Sequence, residues 1–202
     1  MARSRARDYE EKREAMLHRA AVAFSRDGYD RSSMAGLAAE CGVSKALLYH
    51  YYASKEALLF DIVRNHLEQL IEAVEGADGH HADPAARLRA LVGALLTAYR
   101  DADAEHRVQT EGMRLLPPEE QDTLRALERT LVDIFAEAIR ALDPAAFEGR
   151  QLLKPVTMAL FGMLNWFYMW FREGRGITRE QYADLATHML VSGVGRLERL
   201  PT

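Results

Sequence analysis

Ser33-Met34-Ala35-Gly36-Leu37-Ala38-Ala39-Glu40-Cys41-Gly42-Val43-Ser44-Lys45-Ala46-Leu47-Leu48-Tyr49-His50-Tyr51-Tyr52 decides the fold. Ser33 and Ser44 stand where a side-chain oxygen caps a helix N-terminus. Ala38 and Gly42 lie four apart. A small residue at 38 lets a following helix cross closely, and glycine at 42 supplies the positive φ of a tight turn. Val43 and Leu48 would plug the space between the two helices. This is helix-turn-helix spacing, and the helix opened by Ser44 would offer its N-terminal face to a major groove.

Outward from this motif the pattern stays helical. Met16, Ala20, Ala23 and Phe24 recur at 3.6-residue spacing on a first helix that stops at Gly28. Ser54 caps a long fourth helix to about residue 75, and a soft linker follows over 76–83. Asp83-Pro84 opens a helix to about 100, since proline suits the first helical position. A shorter segment covers about 104–115, and Pro117-Pro118-Glu119-Glu120 starts another helix to about 142. A strongly apolar helix is expected over 150–173, closed by Gly174 and Gly176. Thr178 and Gln181 form a capping box for a last helix to about 197. The expectation is an all-α chain of about nine helices without strands: an N-terminal three-helix domain over 1–53, with its helix-turn-helix at about 33–52, and a helical domain over 54–202.

Gly28-Tyr29-Asp30, Ser33-Met34, Leu37-Ala38, Gly42-Val43-Ser44-Lys45, Leu48-Tyr49, Tyr52 and Ser54-Lys55-Glu56-x-Leu58 stand in one register. Over residues 12–60 the chain resembles the N-terminal domain of the TetR family of transcriptional regulators. The resemblance implies a DNA-binding head, a fourth connecting helix, a C-terminal ligand-binding domain and a homodimer. Its expected partners are a double-stranded DNA operator and a small-molecule effector. Candidate DNA-binding residues are Ser33, Ser44, Lys45, Leu47, Tyr49, His50, Tyr51 and Lys55. Ser33 could meet a phosphate at the positive end of its helix, and Lys45 a guanine edge or a phosphate. Leu47 could touch a thymine methyl. By resemblance Tyr49 and Lys55 contact the DNA backbone, and Tyr51 can do the same. His50 faces either DNA or the first helix, while Tyr52 is read as core. Many relatives carry a basic or polar residue just after the start of the second helix, where Ala35 and Gly36 stand here. Base readout then falls on the third helix or on an arm bearing Arg3, Arg5 and Arg7 in a minor groove.

The second informative stretch is Leu160-Phe161-Gly162-Met163-Leu164-Asn165-Trp166-Phe167-Tyr168-Met169-Trp170-Phe171-Arg172. A helix apolar all round is expected to be buried all round, with one face on an internal cavity and another on a second subunit. Asn165 needs a hydrogen-bond partner there. Arg172 and Arg175 either suit a helix C-terminus or dock ligand phosphates. The block resembles the TetR subgroup that senses acyl-CoA thioesters. That implies an acyl pocket, for which Leu95, Tyr99, Met113, Leu116, Met163, Trp166, Phe167 and Trp170 are the candidate ligand-binding residues. A drug-sensing efflux regulator would want an acid in the pocket, and the apolar stretch has none. A helical interaction module with an incidental helix-turn-helix is the other alternative.

Composition bounds the rest. The chain has 202 residues, a net charge of -4 and one cysteine, Cys41. An internal disulfide and a cysteine zinc site are excluded, and Cys41 is read as a small buried residue. The charge is uneven: residues 1–60 hold ten basic and eight acidic side chains, the remainder sixteen and twenty-two. The longest apolar run, 156–171, is shorter than the ~20 residues of a membrane span, and residues 1–11 carry no secretory signature. A cytoplasmic protein is expected. No phosphate loop, nucleophile motif or convincing metal set is found. His80, His81 and Asp83 lack a fourth ligand. The chain is read as a regulator without catalytic residues or cofactor.

Overall fold

The computed structural model describes residues 2–79 and 81–197, with side chains from Tyr9 onward. The side chains of Arg3, Arg5 and Arg7, and the whole of His80, lie outside the described residues. Among the described residues ten α-helices follow one another: α1 (Ala2–Asp27), α2 (Met34–Cys41), α3 (Lys45–Tyr51), α4 (Lys55–Ala77), α5 (Pro84–Ala98), α6 (Asp103–Gly112), α7 (Pro118–Leu142), α8 (Leu153–Asn165), α9 (Phe167–Trp170) and α10 (Arg179–Val194). Short 3-10 turns follow α6 and α7. Among the described residues the only strand-like pairing is an isolated bridge between Arg172 and Arg175.

The helix starts are where the capping residues put them. Ser33 Oγ accepts from the Gly36 amide, Ser44 Oγ from Leu47 and Ser54 Oγ from Ala57, each at 3.1 Å. Asp83 accepts from Ala85 and Ala86, and Thr178 with Gln181 closes both bonds of a capping box. These bonds satisfy amide donors that a helix cannot satisfy internally. Gly42 ends α2 at φ +68°, and the Val43 amide returns to the Ala38 carbonyl at 3.0 Å. A side chain at 42 would be strained there and would meet the Arg19 guanidinium at 3.1 Å.

By compactness the chain forms two units, residues 1–68 with 101–127 and residues 69–100 with 128–202. The first extends beyond residue 53 because α6 packs on α1 and because α4 shares its core. In that core Met16, Leu17, Ala20 and Phe24 of α1 meet Leu37, Leu48, Leu58, Ile62 and Val108. Gly112 lets α6 approach α4 closely, since a Cβ there would stand 3.0 Å from Leu59 Cδ1. In the second unit α5 and α8 pack on α10. Leu88, Leu91, Leu95, Phe135, Ile139, Leu160, Leu164 and Ala186 form its core.

One expected element is corrected. The apolar helix of 150–173 is instead α8, a break at Trp166, and the single turn α9. It is also not buried on all faces of this chain, because Met158, Trp166, Met169 and Trp170 are exposed. The break follows from side-chain packing. Phe167 turns inward to stack on Phe171 at 4.2 Å and on Tyr182 at 4.7 Å, and Tyr99 takes the Asn165 side chain. A straight helix would place all of these differently.

Candidate functional site

α3 is seven residues long and buries one of them, Leu48. Most of its other side chains are therefore free to present chemistry. Lys45, Leu47, Tyr49 and His50 are exposed, Tyr49 by 45%. Lys45 Nζ stands 5.7 Å from the centre of the Tyr49 ring, so the pair four residues apart shares one face. Ser33 and Ser44 are exposed at the starts of α2 and α3. Each hydroxyl accepts a capping bond and still holds an O–H to donate. Ala35 and Gly36 are exposed and carry no functional group. This surface offers phosphate donors and one amine, with an apolar residue between them.

Three candidates have partners that the sequence did not disclose. Tyr51 is half-buried and stacks on Tyr9 of α1, ring centres 4.7 Å apart. Lys55 donates to the carbonyls of Tyr29 and Ser32 at 2.8 and 3.1 Å and lies 4.1 Å from the Tyr29 ring centre. Two of its three N–H donors are thus used to tie the turn after α1 to the start of α4. His50, for which two directions stood open, is exposed and meets the Tyr51 ring edge-on. Tyr52 is core, and its hydroxyl donates to Asp61 Oδ2 at 2.8 Å. Cys41 is buried, with its thiol toward the Met16 carbonyl. Burial pushes that thiol's pKa up, which keeps it unreactive.

Asp61 joins this region to α1. Arg13 Nε donates to its Oδ2 at 3.0 Å and Arg13 Nη2 to its Oδ1 at 2.8 Å, while Arg64 Nη2 donates to Oδ1 at 2.5 Å. Burial alone would raise the carboxyl's pKa, but the bonds from Arg13, Tyr52 and Arg64 hold it below the usual carboxylate range. Neither Arg13 nor Asp61 carries a sequence signal for this, as a charged pair 48 residues apart looks like two solvated surface residues.

The ligand candidates divide. Leu95, Tyr99 and Phe167 are buried and Met163 is partly buried, all in the core of the second unit. Tyr99 Oη donates to Asn165 Oδ1 at 2.7 Å, and burial raises the phenol's pKa. Asn165 therefore has its partner inside this chain. Trp166 and Trp170 stand at the surface, 62% and 48% exposed. Met113 and Leu116 belong to the core of the first unit. Arg172 donates to the Phe171 carbonyl and sits in the turn closed by Gly174 and Gly176, both at positive φ. Missed by the sequence reading, Arg179 lies over Phe167 and Phe171 at 5.4 and 4.8 Å and donates to the Leu96 carbonyl. A groove of about 170 Å³ opens elsewhere, within the first unit, over Phe24, Tyr29, Leu59 and Val108. None of the eight ligand candidates lines it.

Met158 and Gly162 on α8, and Leu185, Met189 and Gly193 on α10, recur every four residues at the surface. A Cβ added at either glycine would meet nothing within 4 Å. No helix among the described residues is long and apolar enough to cross a membrane.

Comparison with known proteins fits this geometry. Residues 16–62 match the family model described as bacterial regulatory proteins, tetR family, and residues 81–194 the model described as tetracyclin repressor-like, C-terminal domain. The HTH-type transcriptional regulator UidR of Escherichia coli K12 is 27% identical over 186 residues, 90% of this chain and 92% of that protein. A TetR-family transcriptional regulator from Bordetella parapertussis superposes with a TM-score of 0.81 at 30% identity, covering 88% of this chain and 93% of that one. AibR, solved in complex with isovaleryl coenzyme A and operator DNA, superposes with a TM-score of 0.76 at 29% identity, covering 89% and 98%.

Proposed function

The chain belongs to the TetR family of DNA-binding transcriptional regulators, and from that premise we propose that it is a homodimeric repressor which an acyl- or aryl-CoA thioester releases from a palindromic operator. The observation that carries the effector class is the likeness, over nearly the whole chain, to a regulator solved with isovaleryl coenzyme A and DNA. The cluster of buried Leu95, Tyr99 and Phe167 with partly buried Met163 supports it, being apolar with one buried hydroxyl. On this reading Lys45, Tyr49 and the hydroxyls of Ser33 and Ser44 bind the operator, and Leu47 and His50 lie over the bases. Tyr51 and Lys55 act mainly by holding that surface in place. Repression of this kind operates in the cytoplasm, on two half-sites about one helical turn apart.

The ligand must act by differential affinity. It can shift the protein from a DNA-competent to an incompetent state only as far as it binds the second more tightly. α4 supplies Leu58, Leu59 and Ile62 to one core and Leu70 and Val74 to the other. It is the element through which such a shift would pass. A second copy covers the apolar surface of α8 and α10.

Trp166 and Trp170 are the two tryptophans of the chain, so ligand binding near them is read by intrinsic fluorescence. Purified protein is titrated with a panel of acyl- and aryl-CoA thioesters, with free CoA and the free acids as controls. Saturable quenching by one thioester class, absent with its acid, is the expected result. A flat response across the panel in ligand-free protein overturns the effector class.

A further inference from the structure

A recognition helix of seven residues with one buried side chain is poorly fixed by packing alone. Leu48 pins its middle and the half-buried Tyr51 ring leans on Tyr9 of α1, but neither contact has the directionality that would fix the helix angle. The directional attachment is at its C-terminal end, where Tyr52 is buried and hydrogen-bonded to Asp61. Asp61 is in turn gripped by one edge of the Arg13 guanidinium from α1, through Nε and Nη2, while Arg13 Nη1 donates to Glu10 Oε1 and to Asn65 Oδ1 at 3.4 Å. Three helices of the first unit, α1, α3 and α4, thus meet at one carboxylate that is 7% exposed.

Stability does not call for such a group. Burying a charge is costly, and apolar residues of similar volume often serve stability as well or better. What a bidentate carboxylate–guanidinium pair adds is direction, because its bonds exist in one relative orientation only. The hydroxyl of Tyr52 joins the end of α3 to that oriented pair. From this we propose that Asp61, acting through Tyr52 and held by Arg13, is a positioning residue that sets the angle of α3 and so determines discrimination between operator and other DNA. The proposal rests on α3 being the DNA-reading helix. Asp61 itself touches no DNA. Phosphate contacts tolerate a small rotation of α3, whereas hydrogen bonds and apolar contacts to base edges do not.

The test needs a DNA probe of known sequence, so a duplex is first enriched by wild-type protein from a randomised pool. A shuffled duplex of the same composition is the control. Tyr52→Phe removes the hydroxyl and leaves the ring in the core. It is compared with wild type and with Asp61→Asn, each shown by thermal melting to be folded at the assay temperature. Loss of one oriented hydrogen bond predicts about a tenfold weaker Kd for the enriched duplex in Tyr52→Phe. Binding to the shuffled duplex should change less than about twofold, as phosphate contacts dominate it. Faster amide exchange confined to residues 45–52 should accompany this. Equal weakening of both duplexes, or an unchanged Kd for the enriched duplex in folded Tyr52→Phe, would overturn the proposal, and Tyr52→Phe alone decides if Asp61→Asn fails to fold. Failure of wild-type protein to enrich any duplex would instead refute α3 as a DNA reader and take this proposal with it.

Discussion

On the proposed DNA-reading surface Lys45 and Tyr49 are the residues to replace first, being exposed on one face of a short helix. Replacing both by alanine should weaken binding to an enriched duplex by about 30-fold or more, at about 1 kcal/mol or more for each side chain removed. The slope of log K against log salt should fall by about one for each phosphate that the protein no longer neutralises. Fluorescence anisotropy over a salt series measures both, and an unchanged slope would mean that the Lys45 ammonium neutralises no phosphate. His66 is a different kind of residue. It is 2% exposed, its ring lies 6.2 Å from that of His106, and burial together with that neighbour brings its pKa down to about 3. An unfolded histidine titrates near ~6.5. Between these values the unfolded chain takes up a proton that the folded chain refuses, so stability is full above about pH 6.5 and falls as the pH falls toward 3. The loss attributable to His66 should reach about 2 kcal/mol at pH 5. Urea unfolding of wild type and His66→Gln at pH 7 and pH 5 should show it, as a smaller acid loss in the variant.

Helix starts were legible in the sequence because each is written locally. A serine, aspartate or threonine followed by a helical pattern is enough, as at Ser33, Ser44, Asp83 and Thr178. Thr178→Ala should therefore cost about 1 kcal/mol in chemical denaturation, and Thr178→Ser almost nothing. The end of α8 was not legible. No glycine or proline stands at 165–167, and the break arises from stacking between Phe167 and Tyr182, residues that come together only in the folded chain. The same reason hid Tyr99–Asn165, Arg13–Asp61 and Tyr9–Tyr51. Motif residues on the exposed face of α3 could be named in advance, since exposure there follows from a single buried position. The lining of a ligand core could not. An apolar helix pattern does not distinguish Phe167, which is inside, from Trp166, which is outside.

At the scale of the whole molecule, the surface of α8 and α10 bears Met158, Leu185 and Met189, the last 55% exposed, beside two glycines that leave open space. If a second copy covers it, Met189→Glu buries a charge at a two-fold interface where the residue meets its own equivalent or a near neighbour. Sedimentation should then show monomer where wild type sediments as dimer, with helicity retained. DNA affinity should fall with the dimer, because each copy alone grips one half-site. The central claim joins both ends of the molecule: a CoA thioester held in the second unit ends DNA binding by the first. The most direct measurement is the anisotropy of a labelled, wild-type-enriched duplex, bound to saturation, as each thioester of the panel is added. A saturable fall to the free-duplex value with one thioester class, and none with its free acid or with CoA, is what the account predicts. A duplex that stays bound through the whole panel would contradict it.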